Sequence, residues 1–161
     1  LSIDVTDRDY MNIQIENLTK KSMTNFKLKL LDINEDMLDL PDVNMDVITT
    51  MPAVDLQRIS RDMGNLASEI DIWRYADKLD VSCRGDFANQ QTVIEFPENI
   101  GHDRTGGTFS LKYINLFTKA TNMCSSVQLM QASASTDMPI VFRYTIANLG
   151  DLKFYLAPKI E

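Results

Sequence analysis

Cysteine is scarce in this chain. Cys83 and Cys124 are its only two, far apart and without a CxxC pairing, which excludes a disulfide framework and gives no zinc signature; both read as buried free thiols in a reducing compartment. No apolar run approaches the ~18 residues of a membrane-spanning helix. The beginning of the chain lacks a signal peptide's basic and apolar regions, so the expectation is a soluble, intracellular protein with no membrane partner, in which Asn17-Leu-Thr19 is a chance match to a glycosylation acceptor. Glycine numbers six, with no GxGxxG or phosphate-binding loop, Gly106-Gly107 being too little. The single histidine, His102, has no Ser or Cys in an elbow context near it, so a nucleophilic triad is unsupported. Asp32-x-Asn34-x-Asp36 imitates the start of a calcium loop, but Met37 stands in place of the glycine and Val43 in place of the closing glutamate. Carboxylates abound with nothing in the sequence that would raise one pKa recognisably. These absences point to a non-enzymatic protein with no catalytic residue, metal or cofactor.

Positive charge is also short. Sixteen Lys and Arg face 23 Asp and Glu, for a net charge of −7 and an isoelectric point near 4.7. Such a balance argues against gripping nucleic acid over the whole surface. The acidity is concentrated between Asp32 and Asp46, which holds six carboxylates and no basic residue. A basic face elsewhere is compatible with the average.

A length of 161 residues allows one well-buried domain with some chain left over. The opening on Leu1 directly into an alternating segment reads as a fragment entered in mid-sheet. Residues 1–5 and 11–16 are expected as short strands joined by a turn at 6–9. Phe26, Leu28 and Leu30 then alternate with Lys27 and Lys29 as a third strand. The acidic, glycine-free run that follows ends at Pro41 and reads as an extended linker. Residues 45–51 form a strand, Pro52 opens a helix, and Ala53, Leu56, Ile59, Met63 and Leu66 make one apolar stripe at helical spacing. Strands are expected at 70–75, 78–83 and 87–96, a loop at 97–107, a second helix at 108–122, and strands at 125–132, 140–146 and 151–156. The fold class is therefore α+β, with the order strand, helix, three strands, helix, three strands from residue 45 onward, a near-duplication in pattern alone.

Both helices carry spaced polar residues. Arg58, Arg61 and Asn65 recur at i, i+3 and i+7, as do Lys112, Asn115 and Lys119, so each triplet falls on one helix face. An ordinary solvated face would look the same. The functional alternative is a sparse, sequence-independent contact with phosphates.

The last eleven residues, Asp151-Leu-Lys-Phe-Tyr-Leu-Ala-Pro-Lys-Ile-Glu161, have the period of a half-buried strand, with Leu152, Phe154 and Leu156 alternating with Lys153 and Tyr155 until Pro158 stops ladder pairing. This run resembles, nearly residue for residue, the C-terminus of the DNA sliding clamps of the proliferating cell nuclear antigen family. Leu56-Gln-Arg-Ile-Ser-Arg-Asp62 and Thr108-Phe-Ser-Leu-Lys-Tyr-Ile-Asn-Leu-Phe-Thr-Lys-Ala-Thr121 look like the clamp helices that line the central hole. The resemblance implies a DNA clamp fold: 1–30 as the last strands of a truncated first domain, 31–45 as the interdomain linker, and 46–161 as the second domain.

What the resemblance implies for function is a processivity factor that encircles duplex DNA and recruits polymerase and other replication and repair proteins, in the nucleus or a viral replication compartment. Arg58, Arg61, Asn65, Lys112, Asn115 and Lys119 would face DNA. Partners carrying a short glutamine-and-aromatic motif would dock between the linker, through Leu38, Leu40, Pro41 and Met45, and the second domain, through Pro139, Tyr155, Leu156, Ala157 and Pro158. A clamp loader would open the ring, a homotrimer in the full-length form. Its subunits would join through the edges at 23–29 (Met23, Phe26, Leu28) and 87–94 (Phe87, Val93). The loop at 97–107 is shorter than the family's, so a sheet strand is expected to be missing or abbreviated. Ala76 stands where many eukaryotic clamps carry the ubiquitin-acceptor lysine. These departures resemble a divergent, viral member. The alternatives are a subunit of a checkpoint clamp and a truncated acidic module that binds peptides but no longer encircles DNA.

Overall fold

The structure is a computed structural model that describes residues 1–5, 7–31, 44–97, 104–135 and 137–159. The chain divides into two compact units, Leu1–Pro41 and Asp42–Glu161.

In the first unit, β1 (Ser2–Asp4), β2 (Tyr10–Asn17) and β3 (Ser22–Lys29) form an antiparallel sheet in that order. β2 and β3 pair along their full length, from Tyr10 opposite Lys29 to Asn17 opposite Ser22. The Asn17 side chain closes their turn by accepting the Lys20 amide at 2.9 Å. The alternation of Phe26 and Leu28 with lysines has no burial counterpart: every residue of β3 is exposed. Alternation reports one buried face only where another layer covers it.

The second unit comprises β4 (Val47–Pro52), α1 (Ala53–Gly64), β5 (Glu69–Tyr75), β6 (Lys78–Arg84), β7 (Asn89–Glu95), β8 (Arg104–Ser110), α2 (Leu111–Phe117), a 3-10 turn (Thr118–Met123), β9 (Ser126–Gln131), β10 (Ile140–Ile146) and β11 (Gly150–Leu156). Two antiparallel sheets result, ordered β11-β10-β9-β4 and β7-β6-β5-β8. Ile70, Ile72, Leu79 and Val81 from one sheet meet Val127, Leu129, Phe142 and Tyr144 from the other, and Leu56, Ile59, Met63, Leu111 and Ile114 from the helices complete the core. The apolar stripe of α1 is buried at Ala53, Leu56, Ile59 and Met63. Asp55 in its first turn and Arg61 in its last suit the helix dipole. Pro52 is the last residue of β4 and caps the helix from outside, rather than being its first residue.

The expected order needs one correction. Four strands, not three, separate the helices, because residues 104–110 form β8 instead of a loop running into an early helix. β8 pairs with β5 from Glu69 opposite Ser110 to Tyr75 opposite Arg104. Gly106-Gly107 reads as a loop signal, yet a Cβ at Gly106 would stand 2.0 Å from the Ile72 carbonyl oxygen. Here glycine permits close backbone approach inside a strand.

Arg74 joins the two sheets from inside. It is 3% exposed, donates to Thr49 Oγ1 of β4 at 3.1 Å and to the Lys78 carbonyl at 3.1 Å, and lies 4.7 Å from the Phe96 ring centroid. Desolvation by burial lowers its pKa, opposed by the charge of Asp77. Cys83 and Cys124 are free thiols, buried and half-buried respectively.

Candidate nucleic-acid and peptide interfaces

α1 packs along α2 and its 3-10 extension. Ser60, fully buried, presents a small side chain within the packed stripe, and Gln57 Nε2 donates to the Thr118 carbonyl at 3.1 Å, tying the first helix to the end of the second. On this scaffold Arg58, Arg61, Lys112 and Lys119 are all exposed. Arg58 lies 3.4 Å from Asp55, an exposed pair that contributes little.

The two triplets are less regular than their spacing implies. Asn65 is the C-cap of α1, its N–H donating to the Asp62 carbonyl at 3.2 Å, while the Met63 carbonyl accepts from Leu66 and Ala67. Lys119 lies in the 3-10 turn, since α2 ends at Phe117. Asn115 is half-buried, and its side chain rests against Gly64, where a Cβ would stand 2.6 Å from Asn115 Nδ2. Asn115 therefore belongs to the helix seam as much as to a free face.

At the end of the helix pair, Asn65, Lys112 and Asn115 border a cleft of about 670 Å3 that Arg84, Asp86 and Lys159 also line. Arg84 and Lys159 were not singled out by sequence reasoning. Their positions come from the end of β6 and from the C-terminal tail, and no local signal joins them to α2. Gly85 lets the β6 end approach the helix: a Cβ there would stand 2.0 Å from the Leu66 carbonyl oxygen.

Of the peptide-groove residues, Leu38, Leu40 and Pro41 lie outside the described residues, as do His102 and the calcium-like segment. Met45 is half-buried, and the chain beyond it is pinned where Asp46 Oδ1 accepts the Ser133 amide at 2.8 Å. Pro139 is half-buried just before β10. Leu156 is a core residue at 9% exposure, whereas Tyr155 beside it is 37% exposed. Of that pair, Tyr155 is the one available to a ligand. Ala157 is exposed and Pro158 half-buried.

β3 and β7 are each the outer strand of their own sheet. Met23, Phe26 and Leu28 on β3 and Val93 on β7 are large exposed apolar side chains. Phe87 is 78% exposed but precedes β7 rather than lying in it. Unpaired strand edges with apolar side chains are templates for pairing with another chain.

The comparisons with known proteins agree with this architecture. The family described as "Proliferating cell nuclear antigen, C-terminal domain" matches residues 39–159. The chain is 34% identical over 161 residues to a probable DNA polymerase sliding clamp 1 of Paramecium bursaria Chlorella virus 1, an alignment that covers 94% of this chain and 60% of that protein. Two helices on antiparallel sheets, and this match across almost the whole second unit, establish that the chain belongs to the proliferating cell nuclear antigen family.

Proposed function

We propose that the chain serves in a DNA sliding clamp, a processivity factor for a DNA polymerase that works without bond chemistry. The observation that carries this reading is the family match over residues 39–159, on a unit whose paired helices expose Arg58, Arg61, Lys112 and Lys119 in a chain of net charge −7. Four exposed cations on one helix pair, Arg58, Arg61, Lys112 and Lys119, would guide a duplex through a few phosphate contacts, while the net negative charge of the chain keeps binding weak overall. In a closed ring, topology replaces affinity, so sliding does not require tight binding. The edges of β3 and β7, outermost in their sheets among the described residues, are the surfaces through which copies of the chain would join, as a trimer in the complete clamp. Duplex DNA, the polymerase and a clamp loader are the partners of this reading, and a viral or nuclear replication site is its location.

Tyr155, Ala157, Pro158, Pro139 and Met45, with Leu38, Leu40 and Pro41 of the linker, form the docking groove in this reading. An exposed tyrosine beside apolar tail residues suits an aromatic-bearing peptide. Tyr155→Ala or Leu38→Ala is expected to weaken a motif peptide by at least ~2 kcal/mol, measured by titration of folded variants.

The deciding experiment for encirclement is retention on DNA after incubation with a clamp loader and ATP. Retention on closed circular DNA, with loss on linearisation, supports the clamp. A chain that sediments as a monomer at high concentration and leaves both DNA forms equally overturns it.

A further inference from the structure

The C-terminal tail crosses from one sheet to the other. β11 ends in the sheet built on β10, with Leu156 buried in the core. Three residues later, the Lys159 N–H donates to the Thr108 carbonyl at 2.8 Å, on β8 of the second sheet. Between them Pro158 lies over Gly107, where an added Cβ would come 3.4 Å from Pro158 Cβ. The Lys159 ammonium pairs with Glu69 on β5, the neighbour of β8. Thr108 is itself held, its hydroxyl donating to Asp71 Oδ1 at 2.6 Å, two residues along β5 from Glu69.

We infer that Lys159 is a positioning residue for peptide docking, acting with Glu69 to fasten residues 157–159 across β8 so that the tail wall of the groove is built before a peptide arrives. This rests on the docking reading of Tyr155 and Pro158. The physical gain is preorganisation: a tail already held at both ends loses less conformational freedom on binding than a free one. Leu156 is the first fixed point and Lys159 the second. Ala157 and Pro158 between them have no hydrogen-bonded strand partner among the described residues, so their placement depends on these two ends. Glu69 is far from the tail in sequence and carries no feature that would assign it such a role.

The test uses the whole chain and a synthetic peptide bearing the glutamine-and-aromatic motif. Lys159→Pro removes both the amide donor and the ammonium. It is expected to weaken the peptide about three- to tenfold, the scale of one lost hydrogen bond, to lower the backbone order parameter at Ala157, and to leave the thermal midpoint in place. Glu69→Lys should weaken binding at low salt and lose its effect at high salt, and the exchanged pair Glu69→Lys with Lys159→Glu should restore affinity. Tyr155→Ala is the reference. If it abolishes binding while Lys159→Pro leaves both affinity and the Ala157 order parameter unchanged, the positioning role is wrong and the groove stands. A loss of affinity that follows a matching fall in thermal midpoint also overturns it, because the tail would then only stabilise the fold. Unchanged binding in Tyr155→Ala removes the groove, and the inference with it.

Discussion

Phe117 at the end of α2 and Phe154 on β11 are stacked, with ring centroids 4.5 Å apart and planes 9° from parallel. Phe154 meets Tyr144 edge-on at 6.0 Å, and Phe117 also tilts against Phe142 at 5.7 Å. One aromatic group thereby connects the helix that carries Lys112 to the strand that carries Tyr155. Phe117→Ala should lower stability by about 3 kcal/mol, the low end for a Phe truncation because the ring is only half-buried. Urea unfolding measures this as a lower midpoint with an unchanged slope.

Gly85 is a position of close approach. Any side chain must displace the Leu66 carbonyl just beyond α1, since the three nearest atoms, Leu66 O and C and Ala88 O, are all backbone. Gly85→Ala is expected to cost about 2 kcal/mol and to disturb the cleft shared by Arg84 and Lys112. Chemical-shift changes confined to the α1 end and β6 would bear this out; a variant as stable as the parent would contradict it.

Asp151 Oδ2 lies 2.6 Å from the Arg143 guanidinium, and its Oδ1 accepts the Thr145 hydroxyl at 2.8 Å. The bond from Arg143, then that from Thr145, holds its pKa below the usual carboxylate range. A carboxylate whose folded pKa is depressed adds stability that is complete above its unfolded value of about 3.9 and disappears as pH falls through the lower folded value. The difference in thermal midpoint between the parent and Asp151→Asn should therefore be constant from neutral pH down to about 5 and close below about 4. A gap that persists at the acid end would show that something other than the ionised pair holds the β10–β11 hairpin.

The Tyr144 hydroxyl is buried with no hydrogen-bond partner among the described residues. Desolvation, then the nearby Cys124, pushes its pKa above the ordinary tyrosine range. Its ring fills the core, whereas its oxygen has lost water without compensation. Tyr144→Phe should leave the fold intact and raise stability by up to ~1 kcal/mol, read from the denaturation midpoint.

Much of the second unit is legible in the sequence because its contacts obey local periods. β10 falls at Ile140–Ile146 as the pattern indicates, and the burial of Leu152, Phe154 and Leu156 against exposed Lys153 and Tyr155 follows the alternation. α1 is likewise readable from its stripe. β8 was not, since two glycines remove the side-chain signal and the strand exists through pairing with β5. The triplet on α2 was overextended for a related reason: spacing alone does not show where an α-helix gives way to a 3-10 turn.

By itself the sequence determined the α+β class, the amphipathic helix, the exposed cations on it and the resemblance carried by the last eleven residues, because each is written in neighbouring side chains. Only the tertiary structure decided that residues 104–110 pair with β5 as a strand, that Arg84 and Lys159 share a cleft with Lys112, and that Glu69 pairs with Lys159 of the tail. Those relations join residues distant along the chain, and the two sheets and the helix pair must pack before their charges and hydrogen bonds can meet.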